Sequence, residues 1–293
     1  MCGIVGLFLK NQSLAPDLGS HLESMLIKMS DRGPDSAGFA IYDEPVAGTI
    51  KLIVRSDAQE PDFRGLADQL GPKVEVVPRD SHALLLVPSD QLAKVEARLA
   101  EDPDLVVSSR GERMEVYRDV GLPADIAKRF GLGGMRGTHG IGHTRMATES
   151  AVTPDGAHPF STADDQCLVH NGSLSNHNDL RRRLAHYGIR TRTQNDTEVA
   201  AAYLSWRLGQ GDELGAALEH SLDDLDGFFT FVVGTGRGFG VLRDPIACKP
   251  AVMAETDDWV AFGSEYQALT DLPGIDQARV WEPKPATAYF WER

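Results

Sequence analysis

The sequence predicts a mixed fold of α-helices and β-strands, and three observations support this class. Residues 3–9 form a short apolar run that is typical of a buried strand. An amphipathic helix follows and ends near Ser30, with apolar residues at helical spacing at Leu18, Leu22, Met25, Leu26 and Met29. Near the other end, residues 227–233 and 239–243 are strand-like and are joined by a glycine-rich hairpin loop.

Composition and charge exclude several classes of protein. The chain has 293 residues, of which 42% are hydrophobic, enough for a substantial core in one large domain or two modest ones. Its 29 basic and 43 acidic residues give a net charge of −14, which repels phosphate backbones and anionic lipids. We therefore expect neither nucleic acid nor a membrane as a partner.

Cysteine usage and the lack of a targeting signal indicate a cytoplasmic protein. Cys2, Cys167 and Cys248 are far apart in the sequence and form no Cys-x-x-Cys pair. This spacing favours neither a disulfide framework nor a zinc or iron–sulfur site. No apolar run approaches the roughly 18 residues of a spanning helix, and no signal peptide is recognisable.

Residues 43–137 differ from the rest of the chain in their pattern of residue types, and this pattern predicts a small α/β insertion. They contain a helical pattern at 90–99 among strand-like runs at 74–77, 83–87, 104–108 and 114–117. No cluster of reactive residue types lies in this range. Two interpretations remain open: a docking surface or an elaboration without a chemical role.

Cys2 is the first candidate for chemistry. If Met1 is removed, the Cys2 thiol lies beside a free α-amine, and at neutral pH roughly a tenth of such amines are unprotonated. A nucleophile and its base are then present in one residue. The alternative is a cysteine that is simply buried in the first strand.

Arg145 is the candidate for substrate anchoring. It lies in the stretch Gly142 to Thr148, where a strand-like pattern ends. An arginine at such a position can bind a carboxylate through two parallel charge-assisted hydrogen bonds. His139 and His143 are four residues apart, but the glycines between them disfavour the helix that a metal-binding pair would need.

Two polar stretches in the second half of the chain each allow two interpretations. The stretch from Cys167 to Asn176 runs from a strand into a turn, and Asn171-Gly172 suits either a hairpin turn or two donors to one oxyanion. A helical pattern at 179–187 follows at once, which weakens the hairpin interpretation. Asn195 to Glu198 suits a helix N-cap as well as a functional site.

Taken in order, these stretches resemble the class II glutamine amidotransferase domain, an N-terminal-nucleophile hydrolase. The resemblance covers nearly the whole chain outside the insertion and rests on six stretches: Met1 to Gly6, Arg32 to Ser36, Gly142 to Thr148, His170 to Asn176, Asn195 to Glu198, and Gly263 to Glu265. It implies one domain over residues 1–293 with an α+β fold, a four-layer αββα sandwich of two antiparallel sheets between helices.

The resemblance also implies a role for individual residues. Cys2 would be the nucleophile, and Asn171 and Gly172 would form the oxyanion hole. Arg145, Thr148 and Asp196 would bind glutamine, with Arg145 on the α-carboxylate and Asp196 on the α-ammonium. The chain would then hydrolyse L-glutamine to L-glutamate and ammonia through a Cys2 thioester.

The chain leaves no residues for a synthase domain, so we expect a separate partner polypeptide and a hetero-oligomer. It is most similar to the stand-alone amidotransferase subunit of glutamate-synthase-like complexes such as N-methylglutamate synthase. Flavin and iron–sulfur clusters are expected in those partners, and no cofactor or metal is expected in this chain. Two alternatives remain: a non-catalytic amino-acid-binding subunit that retains Met1, and an N-terminal-nucleophile amidase acting on another amide.

Overall fold

A computed structural model of the chain describes residues 2–147 and 152–293. In chain order, its strands are β1 (Gly3–Leu9), β2 (Ser36–Tyr42), β3 (Thr49–Ser56), β4 (Glu75–Arg79), β5 (His82–Pro88), β6 (Leu105–Gly111), β7 (Met114–Val120), β8 (His139–Arg145), β9 (Phe160–Ala163), β10 (Gln166–Leu174), β11 (Gly227–Thr235), β12 (Gly238–Arg243), β13 (Val252–Glu255), β14 (Trp259–Gly263), β15 (Arg279–Trp281) and β16 (Thr287–Glu292). The helices are α1 (Leu18–Ile27), α2 (Phe63–Leu70), α3 (Leu92–Leu99), α4 (Pro123–Phe130), α5 (His177–His186), α6 (Asp196–Gly209) and α7 (Leu214–Asp224).

Two antiparallel sheets form the centre of the fold. The seven-stranded sheet has the order β15-β13-β14-β1-β8-β2-β7, so that β1 is flanked by β14 and β8. The five-stranded sheet has the order β16-β12-β11-β10-β9. The first strand of the chain is therefore a central strand, which explains why all seven of its residues are buried.

The two sheets pack face to face, with helices on both outer sides. Side chains of both sheets share one buried cluster, which includes Ile4, Ile141, Val169 and Phe239. Gly6 allows close packing here, since a methyl group at this position would lie 2.4 Å from Phe239 Cε2. Helices α1 and α4 cover the seven-stranded sheet, and α5, α6 and α7 cover the five-stranded sheet. The expected four-layer αββα sandwich is confirmed.

A third sheet lies between β2 and β7 in the sequence. It has four strands in the order β4-β5-β3-β6, and with α2 and α3 it forms a split β-α-β arrangement. We refer to residues 49–111 as the inserted unit. Its helices cover one face of its sheet, and Ile53 and Leu84 on the other face join the core beneath α1 and α4.

The inserted unit is shorter and more regular than the sequence patterns suggest. Strand β3 and helix α2 were not expected, because Lys51 and Arg55 interrupt the apolar run of β3 and only three apolar residues mark the buried face of α2. Strand β7 lies within the expected range of 43–137 but pairs with β2 in the seven-stranded sheet. Helix α4 likewise packs on the main core.

Three buried histidines lie between the five-stranded sheet and the seven-stranded sheet. The rings of His143 and His158 stack with their centroids 4.0 Å apart. His158 Nε2 and His170 Nδ1 share the hydroxyl of Thr197, at 2.8 and 3.0 Å. Burial lowers the pKa of all three, in the case of His143 to about 3. The cluster is therefore neutral at physiological pH.

Within residues 2–147 and 152–293, no helix combines the length and apolar character needed to cross a membrane.

The histidine cluster predicts acid-sensitive stability. His143 has a pKa of about 3 in the fold against an ordinary value of 6.5, so unfolding takes up a proton there at intermediate pH. The free energy of unfolding should therefore fall as the pH drops from 6.5 towards 3, by about 1.4 kcal/mol per pH unit for each such histidine.

Urea unfolding at a series of pH values measures this slope. The matched variant is His143→Gln, in which the amide can replace the His143 Nε2 donor that binds His170 O at 3.0 Å. We expect the slope of the unfolding free energy against pH to correspond to one proton fewer in the variant. The urea m-value should stay constant. Equal slopes in the two proteins would contradict the assignment of a neutral buried His143.

Candidate active site

Cys2 lies immediately before β1, at the end of the sandwich where β8 and β14 also place functional residues. Its backbone oxygen accepts a hydrogen bond from Arg32 Nε at 3.0 Å, and Arg32 also pairs with Glu265 just beyond β14. The Cys2 side chain is partly exposed. Met1 lies outside the described residues, so its removal stays a prediction.

The start of β1 is held by hydrogen bonds to Ser264 and by close packing against Met29 and Thr144. Ile4 N donates to Ser264 Oγ at 2.9 Å, and Ser264 N donates back to Ile4 O at 2.9 Å. A methyl group on Gly3 would lie 2.8 Å from both Met29 Cβ and Thr144 Oγ1, so the backbone beside Cys2 is tightly packed. These contacts restrict where the Cys2 thiol can point.

Arg145 is the last residue of β8, and its side chain is almost completely buried. It lies near Cys2 because β8 pairs with β1, with Thr144 opposite Gly3. Gly33 approaches the same backbone so closely that a methyl group there would lie 2.4 Å from Arg145 N. The turn after α1 therefore holds the strand end that presents Arg145.

The segment after Arg145 leads to the second residue expected to contact substrate. Ala147 N donates to Asp35 Oδ2 at 2.8 Å, so the stretch Arg32 to Ser36 orders the chain on both sides of Arg145. Thr148 itself lies outside the described residues. Its predicted contact with substrate stays a prediction.

Asn171 and Gly172 lie within a strand that continues past the point where the sequence predicted a change from strand to turn, and the hairpin interpretation, which the sequence had already weakened, does not apply. Strand β10 continues to Leu174 and pairs regularly with β11, with Gly172 opposite Phe229. The expectation failed because the partner strand of β10 follows only after three helices. Asn171 Nδ2 donates to Cys2 O at 3.2 Å, so this strand brings an amide donor to the cysteine.

Strand pairing leaves part of the other edge of β10 without a neighbouring strand. Strand β9 pairs with residues 166–168 of β10 and extends no further. Leu174 N donates away from β11 to Asp196 Oδ2 at 2.9 Å. Because N–H groups of alternate residues in a strand point to the same edge, the Gly172 N–H also faces this open edge.

Asp196 begins α6, and the preceding Asn195 caps that helix. Asn195 Oδ1 accepts from Thr197 N at 2.8 Å, which confirms the predicted N-cap. Asp196 Oδ2 is bound to Leu174 N, and Asp196 Oδ1 lies 3.8 Å from His170 Nδ1. The carboxylate remains partly exposed and is anchored to β10 next to the predicted oxyanion donors.

The structure thus brings five of the six predicted site residues to one end of the sandwich. Cys2 and Arg145 come from the seven-stranded sheet, and Asn171, Gly172 and Asp196 come from the five-stranded layer and its helix. Residues that carry a thiol, two N–H donors, a guanidinium and a carboxylate therefore lie at the same end of the two sheets. Such a set can bind a zwitterionic amino acid and stabilise an oxyanion.

The three cysteines differ sharply in environment. Cys167 is buried between the sheets beside Tyr42, and burial raises its pKa to about 12. Cys248 is exposed and Cys2 is partly exposed. Of the three, only Cys2 lies beside an amide donor from the opposite sheet.

Two supporting contacts were not predicted from the sequence. Glu265 holds Arg32 and thereby the Cys2 carbonyl, and Thr197 links two histidines behind Asn171. The position of Thr197, two residues after the predicted N-cap Asn195 and directly after Asp196, was the available sequence signal. Glu265 could not have been linked to Arg32, because the two are separated by 233 positions.

The comparisons with known proteins agree with this geometry. A glutamine amidotransferase domain family matches residues 143–271. The glutamine amidotransferase-like protein GlxB of Rhizobium meliloti is 60% identical over 296 residues, covering 100% of this chain and 98% of GlxB. A provisionally named glutamine amidotransferase of Methanothermobacter thermautotrophicus is 34% identical over 309 residues, covering 100% of both chains.

A solved structure shows the same fold. The glutamine phosphoribosylpyrophosphate amidotransferase from B. subtilis has a TM-score of 0.60 at 20% identity, covering 99% of this chain and 49% of that one. This chain therefore corresponds to about half of that longer protein. On the full-length similarity to GlxB and the matching family model, the chain belongs to the glutamine amidotransferase family of enzymes, of the class II N-terminal-nucleophile type.

Proposed function

We propose that this protein hydrolyses L-glutamine to L-glutamate and ammonia, with Cys2 as the nucleophile. The observation that supports the proposal most is the hydrogen bond from Asn171 Nδ2 to Cys2 O, because it joins an amide of the five-stranded sheet to the residue that carries the thiol. A cysteine thiol by itself is a common group in proteins. A thiol beside two N–H donors and a buried arginine has the elements that acyl transfer requires.

The proposed reaction proceeds in two stages. The Cys2 thiolate attacks the side-chain amide carbon, and the Asn171 amide and the Gly172 N–H bind the oxygen that becomes negative. The amide C–N bond then breaks, and the α-ammonium of Cys2 donates the proton that lets ammonia depart. Water attacks the resulting thioester, the C–S bond breaks, and glutamate leaves with the thiolate restored.

Substrate selection follows from the two charges of a free amino acid. Arg145 would bind the α-carboxylate, and the partly exposed carboxylate of Asp196 would bind the α-ammonium. A peptide amide lacks one or both of these charges and would therefore make fewer of these charge-assisted contacts. Thr148 follows Arg145 by three positions and is proposed to complete this pocket.

Replacement of the nucleophile tests the proposal directly. Cys2→Ala should lower glutamate release by about a thousandfold or more, because no other group can form the thioester. The matched control is Cys248→Ala, which removes an exposed thiol and should leave turnover unchanged. Glutamate release from glutamine measures both.

Undiminished turnover in Cys2→Ala, alone and in its native complex, would contradict the proposal. The N-terminal mass of the active protein separates the catalytic function from the binding alternative. Removal of Met1 is expected; a retained Met1 makes the Cys2 nitrogen an amide, which cannot carry the proton.

Gly172 provides a second test, directed at the oxyanion donors. Its φ of +149° favours glycine, and a methyl group there would lie 1.9 Å from Phe228 O. Gly172→Ala should displace the N–H donor and lower kcat by about 100-fold or more. Steady-state glutaminase kinetics measure the change.

Gly209→Ala is the matched control for Gly172. Gly209 lies at the end of α6 with no atom within 4 Å of an added methyl group, so the variant should retain activity and gain slight stability. An unchanged kcat in Gly172→Ala, with the protein folded, would remove Gly172 from the proposed oxyanion hole.

We further propose that the nitrogen is used by a separate synthase subunit in the cytoplasm, in a complex of the N-methylglutamate synthase type. Support comes from the motif resemblance and from GlxB, which matches this chain over nearly its full length. Flavin and iron–sulfur cofactors would belong to the partner subunits. The described residues contain no group of three or more His, Cys, Asp or Glu side chains suited to a metal ion.

Purification of the protein from its native host tests the partner. We expect co-purified chains that carry flavin and iron–sulfur absorption, and glutamine-dependent transfer of nitrogen to a keto acid when the acceptor and a two-electron reductant are supplied to the complex. A native protein that elutes alone, with full glutaminase activity, would contradict a synthase partner while leaving the glutaminase proposal intact.

A further inference from the structure

The inserted unit makes an ionic contact with the main sandwich close to Arg145, through a buried arginine and a partly exposed aspartate. Arg55, at the end of β3, has a side chain that is only 4% exposed. Its Nη1 lies 3.0 Å from Asp155 Oδ1, in the turn Pro154–Gly156, and its Nη2 lies 2.9 Å from Asp57 Oδ1. One half of the guanidinium thus stays within its own unit, and the other half crosses to the sandwich.

The turn that Arg55 holds lies directly beside the predicted carboxylate-binding arginine. A methyl group on Gly156 would lie 3.3 Å from Arg145 Nη1 and 3.6 Å from Arg145 Cζ. The backbone of this turn therefore flanks the guanidinium of Arg145. A shift of the turn would change the space in which Arg145 meets a substrate carboxylate.

A second buried arginine anchors the other end of the same segment. Arg118, on β7, donates from Nη1 to Ala157 O at 2.7 Å and to Pro159 O at 2.9 Å. Arg118 belongs to the main sheet, so this anchor does not depend on the inserted unit. Arg55 supplies the anchor on the Gly156 side, where the segment meets Arg145.

The charges at this junction make the Arg55 contact more than an incidental surface pair. The pKa of Arg118 is lowered to about 10, first by burial and then by the nearby cations Arg192 and Arg55. Asp155 is one of the two anions that oppose this effect. A buried arginine needs such a partner, since an unpaired buried charge is strongly unfavourable.

We propose that Arg55 is a positioning residue for substrate binding. Through Asp155, the inserted unit holds the turn Pro154–Gly156 against Arg145 and so determines the affinity for the α-carboxylate of glutamine. The proposal rests on the glutaminase function proposed above. It gives the inserted unit a role in the site although no residue of the unit touches substrate.

Kinetics of paired variants test the proposal. Arg55→Met and Asp155→Asn should each raise KM for glutamine by about tenfold, as expected for a slightly misplaced binding group, with kcat changed less than about twofold. Arg55→Lys retains the charge and should recover most of the affinity. The double variant Arg55→Met/Asp155→Asn should be no weaker than the poorer single variant, because the two residues act through one contact.

The matched control is Arg98→Met, which removes an arginine paired with Glu101 on the exposed surface of the same unit. It should leave KM and kcat unchanged. Should Arg55→Met fail to fold, Asp155→Asn still tests the proposal, because the Asp155 side chain is 54% exposed. Calorimetric titration of L-glutamine into each variant in the Cys2→Ala background gives the same comparison without turnover.

The outcomes separate this inference from the proposed function. In one outcome, Cys2→Ala abolishes turnover while Asp155→Asn and Arg55→Met keep the KM and Kd of the unsubstituted protein. The positioning role is then overturned, and the glutaminase proposal stands. A loss in kcat equal to the loss in kcat/KM would likewise overturn it, since the contact would then not act through binding. If Cys2→Ala retains full turnover, the glutaminase proposal fails first.

Discussion

The structure depends on how the carbonyl group of Cys2 is held between the two sheets. Arg32 Nε donates to this oxygen at 3.0 Å from the seven-stranded side, and Asn171 Nδ2 donates at 3.2 Å from the five-stranded side. Neither sheet alone could supply both the thiol and the donors. Face-to-face packing is therefore a condition for the site, and the dense core that includes Gly6 and Phe239 serves the chemistry as well as stability.

Hydrogen bonds among buried polar groups near Cys2 explain why the residues of the site have fixed positions. His143 Nε2 donates to His170 O at 3.0 Å, and His170 shares the Thr197 hydroxyl with His158. A buried polar group without a partner is costly, so these contacts favour one arrangement of β8, β10 and α6. Asn171 directly follows His170, and Asp196 directly precedes Thr197. The network therefore also holds these two residues in place.

The sequence predicted local features well and long-range pairings poorly. The helix at Leu18–Ile27, the hairpin after β11 and the Asn195 cap follow from periodicity and turn chemistry, which act over a few residues. The continuation of β10 through Asn171 and Gly172 to Leu174 was not predicted, because β10 finds its partner β11 more than 50 residues later. The Arg55–Asp155 contact joins two units 100 positions apart and leaves no periodic trace in the sequence.

Part of the edge of β10 is unpaired because the neighbouring strand β9 is short. In the register of the five-stranded sheet, Phe160 of β9 lies opposite Leu168, so a longer β9 would next place Pro159 opposite Val169. Proline has no N–H to donate to a strand ladder, and such residues occur where pairing ends. His158, one residue further, instead contacts Thr197. The pairing therefore stops before it reaches Asn171, and the Gly172 N–H stays on an edge of β10 that β9 does not reach.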